Sequence, residues 1–196
     1  MGKINYSDMV SQLAKSGSDI IDQLNPSSAH LLHMAVGISG ESSELLEAIL
    51  DVESFNHVDE ENLMEELGDI EFYIEGLRQG VGLERHDTIN YQSTDFSYHG
   101  VSFLGATLDF ARLSLNAGKL LDDIKKMAIY VKPIDIDSVV RNLTEIELCL
   151  ESIRQHFGIL YYDCLEHNVE KLGKRYEGHN YSNEQAHERA DKNATD

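Results

Sequence analysis

Four carboxylates stand in two short runs, Glu41-Ser42-Ser43-Glu44 and Glu66-Leu67-Gly68-Asp69. Each pair is spaced i, i+3, so on a helix its two acids project from one face. Two such helices set face to face bring four acids to one place, where they cannot all ionise without a cation between them. All-oxygen donors of this kind suit Mg²⁺, with Mn²⁺ possible. A centre built this way usually handles phosphates.

Two further acids extend the pattern. Glu47 continues the i, i+3 row and Glu65 adjoins Glu66. Either could take the proton of an attacking water from outside the metal's own ligands. A solvated acidic face is the alternative for both. Basic residues form a second constellation near the C-terminus. Asn168, Lys171 and Arg175 are spaced to share a helical face, with Lys174 beside them. In so acidic a chain they read as a phosphate clamp. Their alternative is a solvated helix end whose cations suit the helix dipole.

Helices must position these groups. The expected segments are 7–24, 29–52, 60–79, 84–90, 105–124, 135–157 and 161–176, with a turn of helix near 183–189 in an otherwise loose polar tail. Pro26 suits a first helical position, Asp59 an N-cap, and Gly82 and Gly158 helix ends. The apolar positions Leu31, Ala35, Ile38, Leu45 and Ile49, then Leu63, Leu67, Ile70 and Ile74, follow helical spacing. The fold expected is all-α, a helical bundle.

The second half reads as a copy of the first. Gly82 aligns with Gly158, 76 positions on, and Glu44 with Lys119, 75 positions on. The copy has lost its acids: Asn116, Lys119, Asn142 and Glu145 stand where Glu41, Glu44, Glu66 and Asp69 do. We therefore expect two tandem helical units, 1–92 with the acids and 93–178 with the basic helix, then a tail, 179–196. The expected site is composite, with metal ligands from the first unit and phosphate contacts from the second. His30 and His33 could touch a base or a metal, though a helix-surface or core place suits them better; Phe72 and Tyr73 could stack on a base, though core packing suits them better. Gly37, Gly40 and Gly68 read as places of close helix approach.

The chain has 196 residues and a formal net charge of −19. Such acidity argues against nucleic acid or an anionic membrane as partner. No apolar run approaches a membrane span. Cys149 and Cys164 form neither a disulfide framework nor a zinc motif. The mixed polar N-terminus does not read as a signal peptide, so a cytoplasmic protein is expected.

The run from His33 to Ile49, HMAVGISGESSELLEAI, resembles the first motif of the all-α, MazG-like nucleoside triphosphate pyrophosphohydrolases, a group that includes dimeric dUTPases. The run from Asn62 to Ile70, NLMEELGDI, resembles their second, and NVEKLGKRY from Asn168 resembles their basic end. The wording is closest to phage-encoded members, which would place the protein in a host cytoplasm. The resemblance implies hydrolysis of a nucleoside triphosphate, NTP or dNTP, to monophosphate and pyrophosphate. It implies Glu41, Glu44, Glu66 and Asp69 as Mg²⁺ ligands. It also implies a homo-oligomer, dimer or tetramer, which the lost acids of the second unit put in question.

Two rivals follow from the residues. A di-iron or di-manganese oxidase needs Glu-x-x-His on two helices, and only Glu184-Gln185-Ala186-His187 matches. A catalytically silent nucleotide-binding or regulatory bundle is the stronger alternative.

Overall fold

A computed structural model describes residues 5–55, 59–88 and 103–192. The described residues are helical with no strand. None of their helices is long and apolar enough to cross a membrane.

Two short helices open the chain, α1 (Tyr6–Leu13) and α2 (Gly17–Gln23). One helix over 7–24 was expected. Ser16 breaks it, because its extended backbone and its side chain, which accepts from the Asp19 amide, start a new helix. Helix α3 (Pro26–Phe55) begins with proline at its first position, as expected, and runs to 30 residues. Helix α4 (Glu60–Val81) follows, then α5 (Arg85–Thr88). The expected polar stretch 91–100 lies outside the described residues. Helix α6 (Phe103–Tyr130) runs beyond its expected end to Val131, whose φ of 54° stops it before Pro133. Helices α7 (Ile136–Phe157) and α8 (Tyr161–Arg175), a 3₁₀ turn (Glu177–His179) and α9 (Asn183–Glu188) complete the chain.

The bundle is built from α3, α4, α6 and α7. Helix α3 packs on α4, α6 on α7, and α3 on α6. The apolar positions read from the sequence fill its centre: Ala35, Ile38, Leu45, Leu63, Leu67, Ile70 and Ile74 are all buried. Cys149 and Cys164 are buried free thiols, and burial pushes them up to about 12 and 11.

The two helical pairs match in detail. Helices α4 and α7 are both 22 residues long. Asp59 and Asp135 cap them identically, each accepting from the amide three residues on, at 3.0 and 2.9 Å. Gly82 and Gly158 end them at φ 72° and 71°. The next amides, Leu83 and Ile159, donate back to Arg78 and Arg154 carbonyls, closing the same C-terminal motif twice. Those left-handed positions are why glycine occurs there.

Helix α8 crosses over to pack on α4, and α5 packs on α7. Each half thus lays its last helix on the other half's bundle. Charges cross in the same way. Arg78 of α4 donates to Glu147 of α7. Arg154 of α7, 76 positions after Arg78, donates to Glu71 of α4 at 3.0 Å. All four side chains are essentially inaccessible. Arg85 stacks on the Tyr161 ring, 4.1 Å from its centroid, and lies 3.4 Å from Glu71 and 3.8 Å from Glu147.

Candidate metal centre

Glu41 lies in the middle of α3, and Glu66 and Asp69 lie one turn apart on α4. The α3–α4 packing turns all three inward, and one oxygen from each falls within 4.8 Å of the others. Glu66 is buried, and its Oε2 has no hydrogen-bond partner among the described residues. Leaving a buried carboxylate oxygen unsatisfied is costly, and a proton or a bound cation could offset that cost.

The electrostatics agree. Burial, with Asp69 and Glu44 nearby, pushes Glu41 up to about 7. Burial and then Glu44, Glu41, Asp69 and Glu65 push Glu66 up to about 8. Acids crowded in a half-dry place hold protons in the absence of a cation. The donor set is all oxygen, so these three residues fit a hard divalent ion.

Glu44 stands apart from the three. Its exposed side chain acts on Glu41 and Glu66 through charge and is not one of the converging ligands. Glu47, further along α3, is exposed and makes no hydrogen bond or ion pair among the described residues. Glu65 is at the site, with Oε1 accepting from Lys171 Nζ at 3.2 Å.

Helix α8 closes the cluster from the second half. Asn168 Nδ2 donates to Asp69 Oδ1 at 2.6 Å. Lys171 Nζ donates to Asp69 Oδ2. Both are buried, at 6% and 7% exposed, despite their polarity. Gly68 permits this. A Cβ there would sit 2.7 Å from the Cys164 carbonyl oxygen and 3.0 Å from Asn168 Cβ. Gly37 likewise admits the Tyr73 ring, whereas Gly40 faces nothing within 4 Å.

Lys174 is exposed beside a small cavity that it shares with Glu61, Glu65, Lys171 and Asp191. Arg175 is engaged elsewhere. Its Nε and a terminal nitrogen donate to the two oxygens of Asp191, at 2.7 and 2.6 Å. The Asp191 side chain is only 3% exposed. The tail read as loose is therefore docked through residue 191, by a residue whose partner lies 16 positions away and carries no local signature.

No protein-family model, curated protein or solved structure matches this chain.

The aromatic groups flank the acids. Tyr73 meets His33 and Phe72 edge-on, with centroids 5.8 and 5.4 Å apart. Burial first, then the charges of Glu41 and Asp69, raise the Tyr73 hydroxyl pKa. Phe72 is 48% exposed and so is not a core residue. His30 points away, its Nε2 bonded to the Gly76 carbonyl at 3.0 Å.

Local spacing does not single out the buried Arg78, Glu71, Glu147 and Arg154. One signal existed. Glu-x₆-Arg occurs at 71–78 and again at 147–154, at the spacing already found for the repeat.

Proposed function

We propose that the protein is a Mg²⁺-dependent nucleoside triphosphate pyrophosphohydrolase, releasing a nucleoside monophosphate and pyrophosphate. The observation that carries this reading is the convergence of Glu41, Glu66 and Asp69 around a buried, unpartnered Glu66 oxygen, with a lysine and an amide reaching in from α8. The motif resemblance supplies the reaction class.

Glu41, Glu66 and Asp69 would hold the metal. When bound, it supplies charge neutralisation for polyphosphate oxygens. Glu65, beside the cluster and restrained by Lys171, is placed to accept the proton of the attacking water. Water adds across the bond between the α- and β-phosphates, and that P–O bond breaks. Asn168 orients Asp69, while Lys171 and exposed Lys174 face the polyphosphate. Arg175 reaches a phosphate only by leaving Asp191. Because α3, α4 and α8 belong to one chain, acids and bases meet without a second copy.

One observation favours the silent-bundle reading. The Lys171 ammonium already sits on Asp69, so a built-in cation offsets part of the acid charge. The two readings part on turnover. Each common NTP and dNTP is incubated with Mg²⁺, and monophosphate and pyrophosphate are both quantified. Equimolar release from one or a few substrates, lost in Glu66→Gln, is the expected result. Binding without release, or release that Glu66→Gln retains, would overturn the enzymatic reading.

A further inference from the structure

The second helical pair has an open cavity beside the place that corresponds to the acids of the first. Buried positions of α3 and α6 correspond 75 residues apart, as in Ile38 with Leu113 and Leu45 with Leu120. Those of α4 and α7 correspond 76 apart, as in Leu67 with Leu143 and Ile70 with Ile146. Carried across, Glu44, Glu65 and Glu66 fall on residues that line an open cavity of about 600 Å³ between α6 and α7, whereas Asn116 and Glu145, the counterparts of Glu41 and Asp69, do not line it. That volume is in the range of small-molecule sites, roughly 300–1,000 Å³.

Its lining has changed sign. Lys119 replaces Glu44, Arg141 replaces Glu65 and Asn142 replaces Glu66, and all three line the cavity together with Lys126. The chain holds only 16 lysines and arginines against 35 acids, so three cations on one cavity in this chain need a reason.

Two acids, Asp122 and Asp123, also line it, and both are occupied. Asp122 lies 2.5 Å from Lys125 and 2.6 Å from Lys126, and their hydrogen bonds hold its carboxyl down at about 2. Asp123 accepts from the Ser138 hydroxyl at 2.6 Å and from Asn142 Nδ2 at 3.3 Å. Lys126 lies 3.5 Å from it. Lys119 on α6 and Arg141 on α7 are left without an ion-pair partner among the described residues. The cavity offers two unspent cations on opposite helices, and an amide where a metal ligand would be needed.

We propose that this cavity binds a phosphate-bearing small molecule of nucleotide size, without a metal, its phosphate held between Lys119 and Arg141. Arginine offers a planar fork and lysine a mobile point charge, a pairing suited to phosphate oxygens. The overall acidity of the chain opposes anions only weakly here, because charges beyond about 8 Å are screened at physiological salt. The inference does not depend on whether the acid cluster is catalytic.

The test is a titration of the full-length protein with inorganic pyrophosphate in EDTA, followed by amide ¹H–¹⁵N chemical shifts. Saturable shifts at Gly118, Lys119 and Ser138 are expected. The double variant Lys119→Ala, Arg141→Ala removes two exposed side chains, and circular dichroism checks that its helices persist. It is expected to weaken binding by at least about tenfold, because both charge-assisted bonds to the phosphate are lost. Lys171→Ala, at the acid cluster, is expected to leave the shifts around Lys119 unchanged. No saturable shift at the cavity would overturn the proposal. So would shifts confined to α8 that vanish in Lys171→Ala, or affinity untouched in the double variant.

Discussion

Glu41 and Glu66 hold protons that ordinary carboxyls would have lost. Their values, about 7 and about 8 against an ordinary 4.5, mean the folded chain binds protons more tightly than the unfolded one between those limits. Stability then falls as pH rises through that window, because charging these acids is harder in the fold than out of it. A bound cation reverses the penalty. Thermal melts in EDTA are therefore expected to show a lower midpoint at about pH 8 than at about pH 5.5, with Mg²⁺ restoring more at pH 8. Glu66→Gln is expected to raise the metal-free midpoint at pH 8 and to remove the Mg²⁺ increment. An Mg²⁺ increment equal at the two pH values would show that no proton is displaced. The i, i+3 spacing made Glu41, Glu66 and Asp69 readable in advance, since helix geometry alone puts such acids on one face. It could not separate Glu44 from them. That depends on how far α3 is rotated against α4, which side-chain packing decides.

Helix α8 owes its place to one missing side chain. Gly68→Ala would press a methyl on the Cys164 carbonyl, and rigid backbone cannot yield as a flexible side chain does. We expect α8 to lift from α4, carrying Asn168 and Lys171 off Asp69. Stability is expected to fall by about 1–3 kcal/mol, as overpacking does. Denaturant unfolding gives the loss, and unchanged stability would mean the α4–α8 approach is looser than described. The exchanged ion pairs behave differently. Arg154→Met alone leaves Glu71, which is 2% exposed, with only the longer 3.4 Å contact to Arg85, and is expected to cost up to about 3–5 kcal/mol. Adding Glu71→Leu is expected to recover most of that, because the cost lies in the poorly compensated buried charge. A double variant as unstable as the single would place the value in the attraction itself. The helices, their caps and the apolar stripes were legible because each follows from local spacing. The crossing of α8 and α5 onto opposite halves was not. Nothing within a helix says which bundle it will cover.

The two halves complete one another, and this decides how the chain can fold. The apolar face of α3 lies partly on α6, Arg78 finds Glu147 only on α7, and the acid cluster is closed by α8. A fragment of residues 1–102 keeps both acid motifs yet loses every one of these partners. It would expose the buried Glu71 and Arg78 and the apolar face that α3 turns to α6. We expect this fragment to show no cooperative melt by circular dichroism and no Mg²⁺ response. Mixed with residues 103–196, it is expected to regain helical signal and a single transition, since the lost contacts lie between the pieces. A fragment that melts cooperatively alone and binds Mg²⁺ would make the first half self-sufficient, and the reach of Asn168 and Lys171 into the site dispensable. The −19 charge of the chain bears on the outcome. Both pieces are acidic, so their reassociation is expected to quicken with added salt, as screening relieves repulsion between like charges. A rate that falls with salt would mean that the Arg–Glu exchange steers the encounter before the apolar faces meet.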